Sequence, residues 1–162
     1  MRGGYQVEVP QMPDSAHPKL TEWLTFLEKT IGNTDNETIL IGHSIGATTV
    51  LRYVEKLPEK QKLGGIMVVA CPLKPLDIEE LRQLDHFFVK PFNFAYIQKK
   101  ARKITAIYSK NDHRVPIDNS RILNDNLDTR YIEIPQGGHL NERSGFDKFP
   151  LLLDEAIRMT ES

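Results

Sequence analysis

The strongest constraint on the fold is a strict alternation of two periodicities along the chain. YQVEV at 5–9, TILI at 38–41, GIMVVA at 65–70, KITAIYS at 103–109 and RYIEI at 130–134 read as five short strands. Between them the apolar residues fall at helical spacing. Leu20, Trp23, Leu24, Leu27 and Ile31 lie on one face, with Pro18 suited to a first turn and Gly32 to a left-handed cap. Similar patterns cover 45–56, 77–84, 117–127 and 147–159. Strands separated by helices must run parallel through right-handed crossovers, with helices on both faces of one sheet. The expected class is therefore α/β, a three-layer Rossmann-like core with a mostly parallel sheet. The segment 84–100 fits least well, because Phe87, Phe88, Phe92, Phe94 and Tyr96 crowd around Pro91. Its rings either pack on the body or wall an apolar pocket beside a site.

The 162 residues, 40% of them apolar, suffice for one core, and a single domain over 1–162 is expected. The 21 basic and 22 acidic residues are spread along the chain, which argues against nucleic acid as a partner. The longest wholly apolar run, IMVVAC at 66–71, falls far short of the roughly 20 residues of a membrane helix. One cysteine, Cys71, excludes an internal disulfide and any CxxC motif, which suits the cytoplasm. No phosphate loop, metal-ligand spacing or dinucleotide fingerprint is present, and no cofactor or metal is expected.

Gly42-His43-Ser44-Ile45-Gly46 is a G-x-S-x-G pattern placed directly after the strand TILI and before a helical run. In a nucleophile elbow the serine occupies a strained strand-to-helix turn, and the flanking glycines are expected where a Cβ would strike neighbouring backbone. The helix that follows offers free N–H groups to developing negative charge, with the N–H of Ile45 as one oxyanion donor. A serine hydroxyl needs a base and an acid to orient it. Asp112 follows the strand KITAIY and His139 follows RYIEI, so both belong at the same sheet edge as Ser44. The order Ser, Asp, His is that of α/β-hydrolases. His17, His43, His86 and His113 are weaker bases by position. Asp118 competes as the acid but looks like a first-turn helix residue. Cys71 reads as a small buried thiol or pocket wall, without an elbow behind it.

Taken together, these motifs resemble the small α/β-hydrolases of the YdeN type, related to the retinoblastoma-binding serine hydrolase. VPQMPDSAHPKLTEWLTFL, with Glu22-Trp23-Leu24, ILIGHSIGATTVLRYVE, LGGIMVVAC, IYSKNDHRVP and IPQGGHLNERSGFDKFPLLLDEAI match the family's segments in order. The resemblance implies a hydrolase core without a large lid and carries catalytic roles onto Ser44, Asp112 and His139. It also implies that the family's first strand and first helix precede MRGGYQVEV. The chain is then expected to be N-terminally truncated, with a source for the second oxyanion donor not visible in it. The expected function is hydrolysis of small carboxylic esters, or of thioesters or amides, through an acyl-enzyme on Ser44. The alternative is a low-activity hydrolase-fold module that binds a protein partner.

Overall fold

The computed structural model describes residues 4–161. Four parallel strands, β1 (Ile39–His43), β2 (Leu63–Val69), β3 (Ala101–Ser109) and β4 (Arg130–Ile134), lie side by side in chain order. The helices are α1 (Leu20–Ile31), α2 (Ile45–Val54), α3 (Phe94–Lys100), α4 (Asp118–Asn126) and α5 (Pro150–Thr160), with 3-10 helices at Glu79–Phe87 and Glu142–Ser144.

Strand order dictates the layers. When each strand is placed beyond the last and every crossover is right-handed, all crossover helices fall on the same face. The core shows this. Ile66 and Val68 of β2 and Ile104, Ala106 and Tyr108 of β3 pack with Leu24 and Leu27 of α1, Leu51 and Val54 of α2, Ile97 of α3 and Leu123 of α4. The alternate residues Met67, Val69 and Ile107 point to the opposite face, where Met159 of α5 and Leu140 cover them. The helix after β4 is thus the one that closes the second layer. β2 is buried along its whole length, which explains why it reads as an unbroken apolar run.

Three expectations need correction. YQVEV is not a strand: residues 5–9 join no sheet ladder among the described residues, and Val7 and Val9 are 77% and 91% exposed. Alternation marks a segment that could sit in a sheet, but a strand exists only where a partner takes its hydrogen bonds. The segment at 77–84 forms a 3-10 helix over Glu79–Phe87. Pro18 lies outside α1, whose N-cap is Lys19, and Gly32 closes it at φ 66 and ψ −136, a glycine-type conformation but not the left-handed helical cap expected, with its N–H donated to the Glu28 carbonyl.

The aromatic segment packs on the body. Phe87 meets Trp23 edge to face at 6.0 Å, and the Arg52 guanidinium lies 3.6 Å above the Phe92 ring. Arg52, almost fully buried, also donates to the carbonyls of Phe87, Lys90 and Pro91 and pairs with Glu55. A main-chain carbonyl at the end of the 3-10 helix and two in the loop beyond it are thereby satisfied from α2.

Candidate active site

Ser44 stands between β1 and α2 at φ 53 and ψ −128, a conformation that costs a non-glycine residue about 1–3 kcal/mol. Its N–H donates to Val69 O at 2.8 Å, extending the β1–β2 pairing by one residue, and its carbonyl accepts from Ala47 N at 2.9 Å. Although it occupies the N-cap of α2, its hydroxyl makes no capping bond. The hydroxyl is left for another partner. Ile45 opens α2, so its N–H is among the four that have no acceptor within the helix.

The two glycines of the pattern differ. A Cβ on Gly42 would lie 2.5 Å from Ala47 Cα and 2.7 Å from both Ala47 N and Gly46 O, whereas one on Gly46 would meet nothing within 4 Å. The collision expected at both glycines therefore occurs only at Gly42, where the strand passes under the first turn of α2.

Asp112 follows β3 in a loop that turns around its own carboxylate. Oδ1 accepts from the N–H groups of Arg114 at 2.8 Å and Val115 at 3.0 Å. Oδ2 lies 2.8 Å from His139 Nδ1, and His139 Nε2 lies 3.0 Å from Ser44 Oγ. The acceptor at Nδ1 fixes that nitrogen as the N–H, which leaves Nε2 with a lone pair facing the serine hydroxyl. The Asp112 and His139 side chains are only 1% and 7% exposed. Burial alone would raise the Asp112 carboxyl, but the bonds from His139, Val115 and Arg114 outweigh it and hold its pKa below the ordinary 3.8. It is ionised at neutral pH.

Sequence reasoning missed His43. Its Nε2–H donates to the His139 carbonyl at 2.8 Å, and the two imidazoles meet edge to face at 4.8 Å. The residue as a whole is exposed, yet loss of water around the ring pulls its pKa below 6.5, opposed by the His139 carbonyl. The only signal in the sequence was its place beside Ser44. The other candidates lie apart from this arrangement. Asp118 begins α4 and pairs with Arg121. His17 faces Asp14, and His86 accepts from Leu20 N. Cys71 is fully buried, which pushes its thiol up to about 12 and removes it as a thiolate at neutral pH.

An apolar cluster adjoins the elbow. Trp23, Leu84 and Phe87 form its buried centre, and Met12, Leu81, Phe88 and Ile45 pack around them. Among the described residues no helix is long and apolar enough to cross a membrane.

The profile of the serine hydrolase family matches residues 4–155. YdeN, a hydrolase of Bacillus subtilis, is 33% identical over 151 residues, covering 93% of this chain and 78% of its own. The serine hydrolase RBBP9 of Rattus norvegicus is 26% identical over 136 residues, covering 84% and 70%. The crystal structure of the Bacillus subtilis ydeN product superposes with a TM-score of 0.84 at 31% identity, over 93% of this chain and 80% of that one. A YdeN-like hydrolase from Pectobacterium atrosepticum, 20% identical and with a TM-score of 0.64 over 88% and 70%, shares the fold. The sheet, the elbow and these likenesses place this chain in the serine hydrolase family, among its YdeN- and RBBP9-type α/β-hydrolases.

Proposed function

We propose that the protein hydrolyses small carboxylic esters, with thioesters and amides as related substrates, through an acyl-enzyme on Ser44. The observation that carries this reading is the hydrogen-bond chain from Ser44 Oγ through His139 to Asp112. Ser44 Oγ attacks the carbonyl carbon while its proton passes to His139 Nε2. The ionised Asp112 holds the imidazole in that tautomer and stabilises the imidazolium. The same proton then goes to the departing alkoxide, and water, deprotonated by His139, releases the acid. The N–H of Ile45 stands at the helix start, where negative charge on the carbonyl oxygen is favoured. The cluster of Ile45, Phe88, Leu81 and Met12 offers an apolar wall to a short acyl chain. A reducing compartment, the cytoplasm, suits the one buried thiol.

A role confined to binding a protein partner needs none of this hydrogen-bond chain, and its completeness favours turnover. Fluorophosphonate labelling followed by peptide mapping tests the assignment. The adduct is expected on Ser44, and Ser44→Ala should lower p-nitrophenyl acetate hydrolysis about a thousandfold or more. Labelling that persists in Ser44→Ala, or a folded protein that takes no label, would reject the reading.

A further inference from the structure

We propose that Ser109 and Asn111 are positioning residues that fix His139 by holding the two main-chain N–H groups immediately before it. This rests on the reading of His139 as the base. Gly137 N–H donates to Ser109 Oγ at 2.8 Å, and Gly138 N–H donates to Asn111 Oδ1 at 2.8 Å. Ser109 links the two, donating its own hydroxyl proton to Asn111 Oδ1 at 2.8 Å. Asn111 Oδ1 therefore accepts twice, and Ser109 accepts once and donates once. The amide must present its oxygen, because an NH2 group there would confront the Gly138 N–H.

The register of the sheet makes the clamp possible. Ser109, the last residue of β3, pairs with Ile134, the last residue of β4, so the loops beyond them leave the sheet side by side. Asn111 precedes Asp112, so the four residues 109–112 supply the acid and both anchors of the base loop. Ser109 is 1% exposed and Gly137 is buried, which shields the first anchor from water. The glycines are part of the same device. A Cβ on Gly137 would strike the Leu140 side chain and lie 3.0 Å from Ile134 Cγ2 and 3.2 Å from Ser109 Oγ. Gly138 sits at φ 54, and a Cβ there would lie 2.7 Å from Ser144 Oγ. A side chain at either position would have to push these neighbouring side chains aside, and at Gly138 it would also sit at positive φ. The Gly-Gly pair before His139 is thus a docking contact, beyond its value as a sharp turn.

The chemistry at position 111 gives a discriminating test. Both of its bonds are accepted by oxygen, so Asn111→Asp keeps them and Asn111→Ala removes them. With p-nitrophenyl acetate, Asn111→Ala should lower kcat about ten- to a hundredfold at nearly constant KM, because the base is displaced while the apolar wall is not. Asn111→Asp should recover kcat to within a few fold, because its carboxylate oxygen accepts the same two bonds. Ser109→Ala combined with Asn111→Ala should be no worse than the more damaging single change, since the two side chains act as one unit.

Amide hydrogen exchange at Gly137 and Gly138 reads the clamp without turnover. Protection should fall in Asn111→Ala and persist in Asn111→Asp. Unchanged protection in Asn111→Ala, or lost protection with unchanged kcat, would overturn the proposal. So would a loss of kcat that Asn111→Asp does not restore. Failure of Ser44 to take a fluorophosphonate in the unmodified protein would instead reject the catalytic reading, and with it the role of His139 as a base; the exchange data would then still decide whether the clamp exists.

Discussion

Replacing each glycine of the elbow by alanine separates a steric requirement from a mere sequence pattern. At Gly42 the added methyl would lie 2.5 Å from Ala47 Cα and 2.7 Å from Ala47 N and Gly46 O, against an ordinary carbon contact of about 3.5–4.0 Å. All three opposing atoms are main chain, so no rotamer change relieves them, and α2 must lift from β1. Overpacking costs typically about 1–3 kcal/mol, and an obstacle made wholly of backbone places Gly42→Ala near the upper end, at about 3 kcal/mol. At Gly46 the methyl enters open space near the start of α2, where alanine in place of glycine gains at most about 1 kcal/mol of helix propensity. In a domain of this size 1 kcal/mol moves Tm by about 2–4 °C. Gly42→Ala should therefore melt about 6–12 °C lower, while Gly46→Ala should melt no lower and up to about 4 °C higher. Fluorophosphonate labelling should slow in Gly42→Ala, because lifting α2 carries Ser44 away from His139. Equal destabilisation by the two substitutions, or a Gly42→Ala protein as stable as its parent, would refute the steric argument.

Two further outcomes follow from polar and titratable side chains. Arg52→Met leaves the carbonyls of Phe87, Lys90 and Pro91 without this donor and Glu55 without its cation, with only the Asn93 N–H still donating to it. It should cost about 3–5 kcal/mol in urea denaturation and open the 88–93 segment to limited proteolysis; an unchanged urea midpoint would contradict this account of the segment. Acidification should act in two stages, because His43, facing His139 and Asp112, has a lowered pKa in the folded chain, as do Asp112 and Glu155. Folding disfavours the protonated form of each, so the histidine contribution is complete above about pH 6.5 and wanes below it, and the carboxylate contributions wane below about pH 4. His43→Phe should abolish the first decline of Tm with pH and spare the second; persistence of the first would reassign it.

Much of the fold was legible because buried parallel strands announce themselves. TILI, GIMVVA, KITAIYS and RYIEI coincide with β1 to β4 within a few residues: β2 and β3 are covered on both faces and so are apolar over most of their length, while the edge strands β1 and β4 are partly exposed and were legible from their β-branched and aromatic residues. Ser44, Asp112 and His139 were named from their places after strand ends, which parallel topology brings to one edge, and the structure sets them within hydrogen-bond distance. YQVEV misled because alternation is a local property and pairing is not. Neither Asn111 nor Ser109 stood out, because their partners Gly138 and Gly137 are 27 and 28 residues away. Only the β3–β4 register brings those loops into contact. His43 was hidden for a related reason, its partner being a main-chain carbonyl 96 residues away.

Why the His139 loop should need so many anchors follows from the strand order. Ser44 leaves β1 and His139 arrives from β4, three strands across the sheet. At about 4.8 Å per neighbour that is roughly 14 Å. His139 lies five residues beyond Ile134, the end of β4, and five residues span at most about 17 Å when fully extended. The loop is not fully extended: Gly138 and Leu140 adopt positive φ, and Leu140 N–H donates back to the Gly137 carbonyl. The imidazole must therefore cover part of the gap, from a backbone with little slack. If His139 is the base, as proposed, a side chain at the end of such a reach loses its geometry through small displacements, and a misplacement of 1 Å can cost about a hundredfold in rate. The anchors are distributed accordingly. His43 holds the far side of the loop at the elbow itself, Asp112 holds the imidazole, and Ser109 with Asn111 hold the near side where the loop leaves β4. Because these grips come from the ends of β1 and β3 and from the loop after β3, any variant that shifts the β3–β4 register should displace His139 even where Ser44 stays in place.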